Sequence, residues 1–262
     1  MAPDSYLEGG HCDMLSDLAR QTREYPWHTQ YKLLNGRVNT FPFSHMICEN
    51  FLHPALFEAV REECRDISKF QPRFKNPTLT SSKYRSSWSF TKEVLSQTPK
   101  DAPARALFQS LTDITLVYAL KMIFKKEIER RHGEVPSTHS YHLEIFADRG
   151  GYALLPHVDV PQKLITCLIY LADQGQNPAL GTSLYGAAPR AKHPAEPNAT
   201  DDDNQHQRPP LSRDDFVLVQ TVPYRPNTAL IFAPGDNTWH GVEEVSGDEM
   251  RRAIQFQINL PA

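Results

Sequence analysis

Pro156-His157-Val158-Asp159 places an imidazole and a carboxylate two residues apart. In an extended chain such residues share a face, so both side chains can aim at one point. A second half lies downstream. The apolar stretch Asn227–Phe232 is followed by Trp239-His240-Gly241-Val242, which would set another imidazole at the mouth of a strand. Two histidines and one carboxylate form the facial triad of non-haem Fe(II) sites, with open positions left on the metal. Singly, each histidine reads as a satisfied core residue or an exposed one; only the joint pattern points to a metal. A cation follows. Eleven residues beyond His240 comes Arg251-Arg252-Ala253-Ile254, with a turn signal at Gly247-Asp248. A guanidinium fork can clamp a carboxylate, where lysine acts only as a point charge. Alternation lets one of the two arginines face the site. Arg252 shares a face with Ile254, Phe256 and Ile258, and Arg251 shares one with Ala253, Gln255 and Gln257. If the apolar face is the inner one, Arg252 points inward.

These residues need strands to hold them. After Pro136 the chain reads as short β segments separated by Gly, Pro and Asp: 141–146, 152–156, 164–171, 182–185, 216–220, 228–232, 241–245 and 252–260. That number of short strands predicts a mainly β fold, a double-stranded β-helix (jelly roll) over residues 137–262. Residues 187–213 are rich in Pro, Asp, Asn, Gln and His and predict a long surface insert, with His193 and His206 exposed. Residues 1–136 predict a mainly helical support, the whole forming one domain. A short helix is expected near Cys12–Arg23 and a strand at 41–48. A helix then opens at Pro54, with Phe57, Val60, Cys64 and Ile67 on one face. Residues 70–92 read as a loop, and Asp101–Arg131 as one long helix or two.

Composition narrows the function classes. The chain has 262 residues, 28 Lys+Arg against 31 Asp+Glu, and a net charge of -3. Such balance argues against a dedicated nucleic-acid surface or a polybasic membrane surface. The charged run Lys125 to Arg130 reads as a solvated helix end. No apolar run reaches the ~18–20 residues of a membrane span, and Met1–Tyr6 has neither a basic start nor an apolar stretch. A cytoplasmic location is therefore expected. Cys12, Cys48, Cys64 and Cys167 are scattered without a CxxC pair, which predicts reduced, mostly buried thiols.

From Tyr141 to the C-terminus these features together resemble the Fe(II)/2-oxoglutarate-dependent oxygenases, and more narrowly their prolyl-hydroxylase-like branch. The resemblance is carried by Gly151-Tyr152, His157-Val158-Asp159, Lys163–Leu171, Gly181–Tyr185, Asn227–Phe232, His240-Gly241-Val242 and Arg251–Ile254. It implies an enzyme with Fe(II) on His157, Asp159 and His240, using 2-oxoglutarate and O2 and releasing succinate and CO2. It implies that an arginine pairs with the distal carboxylate of 2-oxoglutarate. The family's Arg-x-Ser pattern maps onto Arg251-Arg252-Ala253, which favours Arg251, against the alternation reading. Ala253 lacks the hydroxyl that the pattern supplies, and Tyr141, Thr166 and Thr182 are candidates to replace it. Because Asp159 is present, the resemblance implies hydroxylation or a related oxidation rather than halogenation.

The expected reaction is oxidation of an unactivated C–H bond of a small molecule such as an amino acid or natural-product intermediate. Lys163, Tyr152, Trp239, Arg85 and Trp88 are candidate substrate contacts, the last two in a possible lid at Ser81–Phe90. A protein or peptide hydroxylase is the alternative within this class. A cupin-like metal-binding protein and a zinc hydrolase are rivals outside it, and neither explains the arginine after His240. Substrate identity and oligomeric state are not legible.

Overall fold

The eight β segments expected after Pro136 all form strands. The computed structural model describes residues 24–72, 83–187 and 213–261. The expected helix at Cys12–Arg23, and nearly all of the insert at 187–213, lie outside the described residues. In the C-terminal half the strands are β5 (Ser140–Arg149), β6 (Leu154–His157), β7 (Lys163–Tyr170), β8 (Ser183–Ala187), β9 (Phe216–Thr221), β10 (Ala229–Phe232), β11 (His240–Val242) and β12 (Met250–Asn259). The N-terminal half adds β1 (Val38–Asn39), β2 (His45–Cys48), β3 (Gln71–Pro72) and β4 (Arg85–Ser89). They form two antiparallel sheets. The major one runs β1-β2-β10-β7-β12-β5-β4-β3 and the minor one β6-β11-β8-β9.

The helices are α1 (residues 24–34), α2 (Pro54–Glu63), α3 (Lys92–Gln97), α4 (Pro103–Leu111), α5 (Ile114–Ile123) and α6 (Lys125–His132). Proline at the first turn starts both α2 and α4, where its missing N–H costs nothing. The single or double helix expected over 101–131 is three. Asp113 caps α5 by accepting from the Thr115 and Leu116 amides, and α4 and α5 meet at a 47° bend. Among the described residues no single helix is long and apolar enough to cross a membrane.

The major sheet is covered on both faces. Leu143, Ile145, Ile165, Ile169, Ile254, Phe256 and Ile258 pack against Leu56, Phe57, Val60, Leu107, Leu116 and Leu120 of the helices. On the other face Phe146, Leu168, Tyr170, Leu230, Phe232 and Ala253 meet Leu184 and Val242 of the minor sheet. This sandwiching explains why β7 is apolar at every residue after Lys163 except Thr166, and buried at all of them, instead of alternating.

The loop expected over 70–92 is corrected. It contains β3 and β4, and β4 pairs with β5, Arg85 opposite Asp148 and Trp88 opposite Ile145. Four of the five β4 residues are Arg or Ser, so the strand showed no apolar alternation. Its one large apolar side chain, Trp88, is buried in the helix-side core.

Candidate active site

The two histidines meet because β6 and β11 are neighbours in the minor sheet, with His157 directly opposite His240. A Cβ on Gly241 would lie 2.6 Å from the Leu154 carbonyl oxygen, so the close approach of the two strands requires glycine here. The imidazole centroids are 4.3 Å apart. Asp159 follows just beyond the end of β6, and its Oδ2 lies 4.0 Å from His240 Nε2. Ligand-type atoms of His157, Asp159 and His240 all fall within 4.8 Å of one another.

The surrounding bonds fix how these groups present themselves. His157 Nδ1 is 3.1 Å from the Leu155 carbonyl oxygen, and His240 Nδ1 is 2.9 Å from that of Thr238. A carbonyl only accepts, so each Nδ1 carries the proton and each Nε2 keeps its lone pair, the arrangement typical of metal-ligating histidines. Burial, helped by the neighbouring His240, pushes the His157 imidazole down to about 3, against the pull of Asp159. Burial lowers His240 as well. Both rings are neutral near pH 7. Burial works to raise the Asp159 carboxyl, but the Lys163 ammonium and the two imidazoles hold it well below the usual range. Thr166 donates to Asp159 Oδ2 at 2.7 Å, and Lys163 Nζ bonds Oδ1. An oxygen with two lone pairs keeps one after the Thr166 bond. Arg131 of α6 donates to the Asp159 backbone carbonyl at 3.0 Å, tying the helical half to this loop. Two neutral imidazoles and an oriented carboxylate suit a divalent transition metal.

The same cavity, about 420 Å³, reaches a pair of guanidinium groups. Arg251 donates from Nη1 to Asp148 Oδ2 at 2.9 Å, from Nε to the Leu180 carbonyl at 2.7 Å and from Nη2 to Thr182 Oγ1 at 3.4 Å. Arg85 donates to both oxygens of Asp148, at 2.6 and 2.9 Å. Its guanidinium lies 4.0 Å from the centroid of Phe146 and 4.2 Å from that of Tyr152. Asp148 is fully buried and Arg251 is only 1% exposed. The two guanidiniums share this carboxylate, and the buried Glu144 acts on Arg85 from the same cavity; their planar forks suit a carboxylate ligand.

Of the two arginines weighed from sequence, Arg251 lines the cavity and Arg252 does not. The face of β12 toward the cavity carries Arg251, Gln255, Gln257 and Asn259, while Ile254, Phe256 and Ile258 meet the helices. Taking the apolar face as the inner one was therefore mistaken, because here the apolar face is the helix-covered one. Arg252 sits on that side, where its charge acts on the Cys64 thiol.

The other expected site residues divide. Thr182, Lys163 and Arg85 line the cavity. Thr166 stands behind Asp159. Tyr152 is buried between the sheets and stacks against Arg85. Tyr141 does not line the cavity; it stacks on Phe256 and bonds His139. Trp88 packs with Phe70 and Phe90, and Trp239 with Phe216 beside Tyr185, both away from the cavity wall. Sequence reasoning missed Asp148, His142 and Glu144. They share a face of β5 with Phe146, and continuing that alternation past Phe146 would have reached Asp148.

No family model matches the sequence, and no curated protein does. Solved structures do match. HygX from Streptomyces hygroscopicus, with nickel and 2-oxoglutarate bound, is 11% identical over 82% of each chain, with a TM-score of 0.49. The non-heme alpha-ketoglutarate-dependent epimerase SnoN from nogalamycin biosynthesis is 12% identical over 94% of this chain and 82% of its own, also at 0.49. A prolyl-4-hydroxylase from Pseudomonas putida is 14% identical over 83% of this chain and 92% of its own, with a TM-score of 0.52. The chain thus shares its two-sheet jelly-roll fold with the Pseudomonas putida prolyl-4-hydroxylase, and carries a two-histidine, one-carboxylate cluster in its cavity.

Proposed function

We propose that this chain is an Fe(II)- and 2-oxoglutarate-dependent dioxygenase that hydroxylates an unactivated C–H bond of a small molecule. One observation carries the reading: the His157–Asp159–His240 cluster and the Arg251–Asp148–Arg85 array open into one cavity. His157, Asp159 and His240 would hold the metal. Fe(II) held there, with 2-oxoglutarate and O2, would supply the oxidising power, with succinate and CO2 as co-products.

The chain's own groups do the rest. His157 and His240 offer neutral Nε2 atoms because their Nδ1 protons are committed to backbone carbonyls. Thr166 and Lys163 hold the Asp159 carboxylate in place. Arg251, oriented by Asp148, Leu180 and Thr182, pairs with the distal carboxylate of the co-substrate, and Arg85 adds positive charge beside it. Phe146, Leu154, Leu168 and Val242 give the cavity apolar wall that keeps water from the reacting groups. His142, Glu144, Gln255, Gln257 and Asn259 form a polar wall able to orient a substrate by hydrogen bonds. A volume of about 420 Å³ falls in the range of small-molecule sites.

The test is succinate release by anaerobically purified protein given Fe(II), 2-oxoglutarate and O2, across panels of amino acids, natural-product intermediates and prolyl peptides. Turnover only with peptides would replace the small-molecule reading. Absence of succinate, together with absence of the metal-to-2-oxoglutarate charge-transfer band, would sink the oxygenase reading.

A further inference from the structure

Helices α1 and α5 lie side by side, bridged by a 3.2 Å bond from Thr115 Oγ1 to Gln30 Oε1. Each buries one face. Leu33 of α1, and Leu116, Val117 and Leu120 of α5, are in the core. The opposite faces are apolar too. Trp27, Tyr31 and Leu34 recur at i, i+4 and i+7 on α1 and are 67%, 65% and 57% exposed. Ile114, Tyr118 and Met122 recur at i, i+4 and i+8 on α5 and are 77%, 65% and 42% exposed. A surface helix ordinarily turns polar residues outward, and one that is apolar nearly all round, as α5 is apart from Thr115 and Lys121, is expected to be covered. The groove between the two helices is lined by Gln30, Thr115 and apolar side chains, with no charged one.

From ordinary side-chain areas, the six residues expose on the order of 700 Å² of mostly apolar surface. That exceeds the ~300–600 Å² of the largest patch on a typical monomer. Two such faces, fully covered, would together remove up to about 1,400 Å², within the range of a standard stable interface. An uncharged face selects no oppositely charged partner. Across a two-fold axis it would meet a copy of itself, each residue i on one protomer facing j on the other and j facing i, so apolar surface covers apolar surface.

We infer that the α1/α5 face is the isologous interface of a homodimer. Two helices from each protomer form a four-helix contact centred on Trp27, Tyr31 and Tyr118. The interface leaves the catalytic cavity's residues untouched, so the inference stands independently of the oxygenase reading.

The experiment is light scattering coupled to size exclusion, backed by sedimentation velocity, on the full chain from about 1 to 100 µM. The expected mass is twice the 29.8 kDa of one chain. Ile114→Glu and Tyr118→Glu, both at exposed positions, should each weaken association at least about 30-fold, the effect of an interface hot spot. Their far-UV circular dichroism should match the parent's, and either variant suffices if the other fails to fold. A single-chain mass at every concentration would overturn the inference. A dimer unaffected by both substitutions would also overturn it, by placing the interface elsewhere.

Discussion

Asp148→Asn is the most informative single change in this molecule. The carboxylate takes three charge-assisted hydrogen bonds, at 2.6 and 2.9 Å from Arg85 and 2.9 Å from Arg251, with no exposure to solvent. The amide keeps the shape and one acceptor oxygen but removes the negative charge that the two guanidiniums share. Removing one partner of a buried ion pair costs about 3–5 kcal/mol, because the remaining charge stays desolvated. Arg85 retains its two aromatic faces and Arg251 retains Leu180 and Thr182, which favours the lower end. At about 2–4 °C per kcal/mol for a chain of this size, the expected loss in Tm is roughly 10 °C. Thermal unfolding near neutral pH, followed by circular dichroism on the metal-free protein, measures it. Adding 2-oxoglutarate with Ni(II) should then raise the Tm of the variant more than that of the parent, since the dianion supplies the missing counter-charge. A variant melting within about 2 °C of the parent would refute the claim that Asp148 holds the array together.

Arg251→Ala should raise the 2-oxoglutarate concentration needed for half-maximal succinate release by at least about tenfold, while Arg252→Ala should leave it unchanged; equal effects would reopen the choice between them. His157→Ala and Asp159→Ala should each abolish succinate release and metal uptake, the latter read by isothermal titration with Ni(II). Thr166→Val keeps the side-chain volume but removes the hydroxyl bonded to Asp159 Oδ2, and should weaken metal binding about 10–100-fold in the same titration. Burial pushes the Cys64 thiol up to about 12 and Cys48 to about 11, and raises Cys167 further, so all three stay as thiols at pH 8. Peptide mapping after iodoacetamide should find these three unmodified in native protein and modified in denaturant.

How far the sequence reaches can be judged at particular residues. His157-x-Asp159 carries its own geometry, because two residues of one extended segment must share a face. The strand segments were legible wherever apolar residues ran together, as in β7 and β10. β4 was not, since Arg85-Ser-Ser-Trp88-Ser shows no periodicity, and it becomes a strand by pairing with β5. Arg85 was named as a substrate contact in a loop; its bidentate bond to Asp148 depends on that pairing across 63 positions of chain.

By itself the sequence determined the donor types, the strand parity and the presence of an arginine after the second histidine. Those follow from local spacing, and local spacing survives folding. Only the tertiary structure decided which arginine faces the cavity. Alternation assigns Arg251 and Arg252 to opposite faces but cannot say which face is which. In β12 the apolar face meets the helices and the polar face meets the cavity, because this sheet is buried on both sides. The partner of Arg251 was equally beyond reach. Asp148 lies more than a hundred residues earlier in the chain, and only the register of β5 on β12, Asp148 opposite Arg251, brings the charges together.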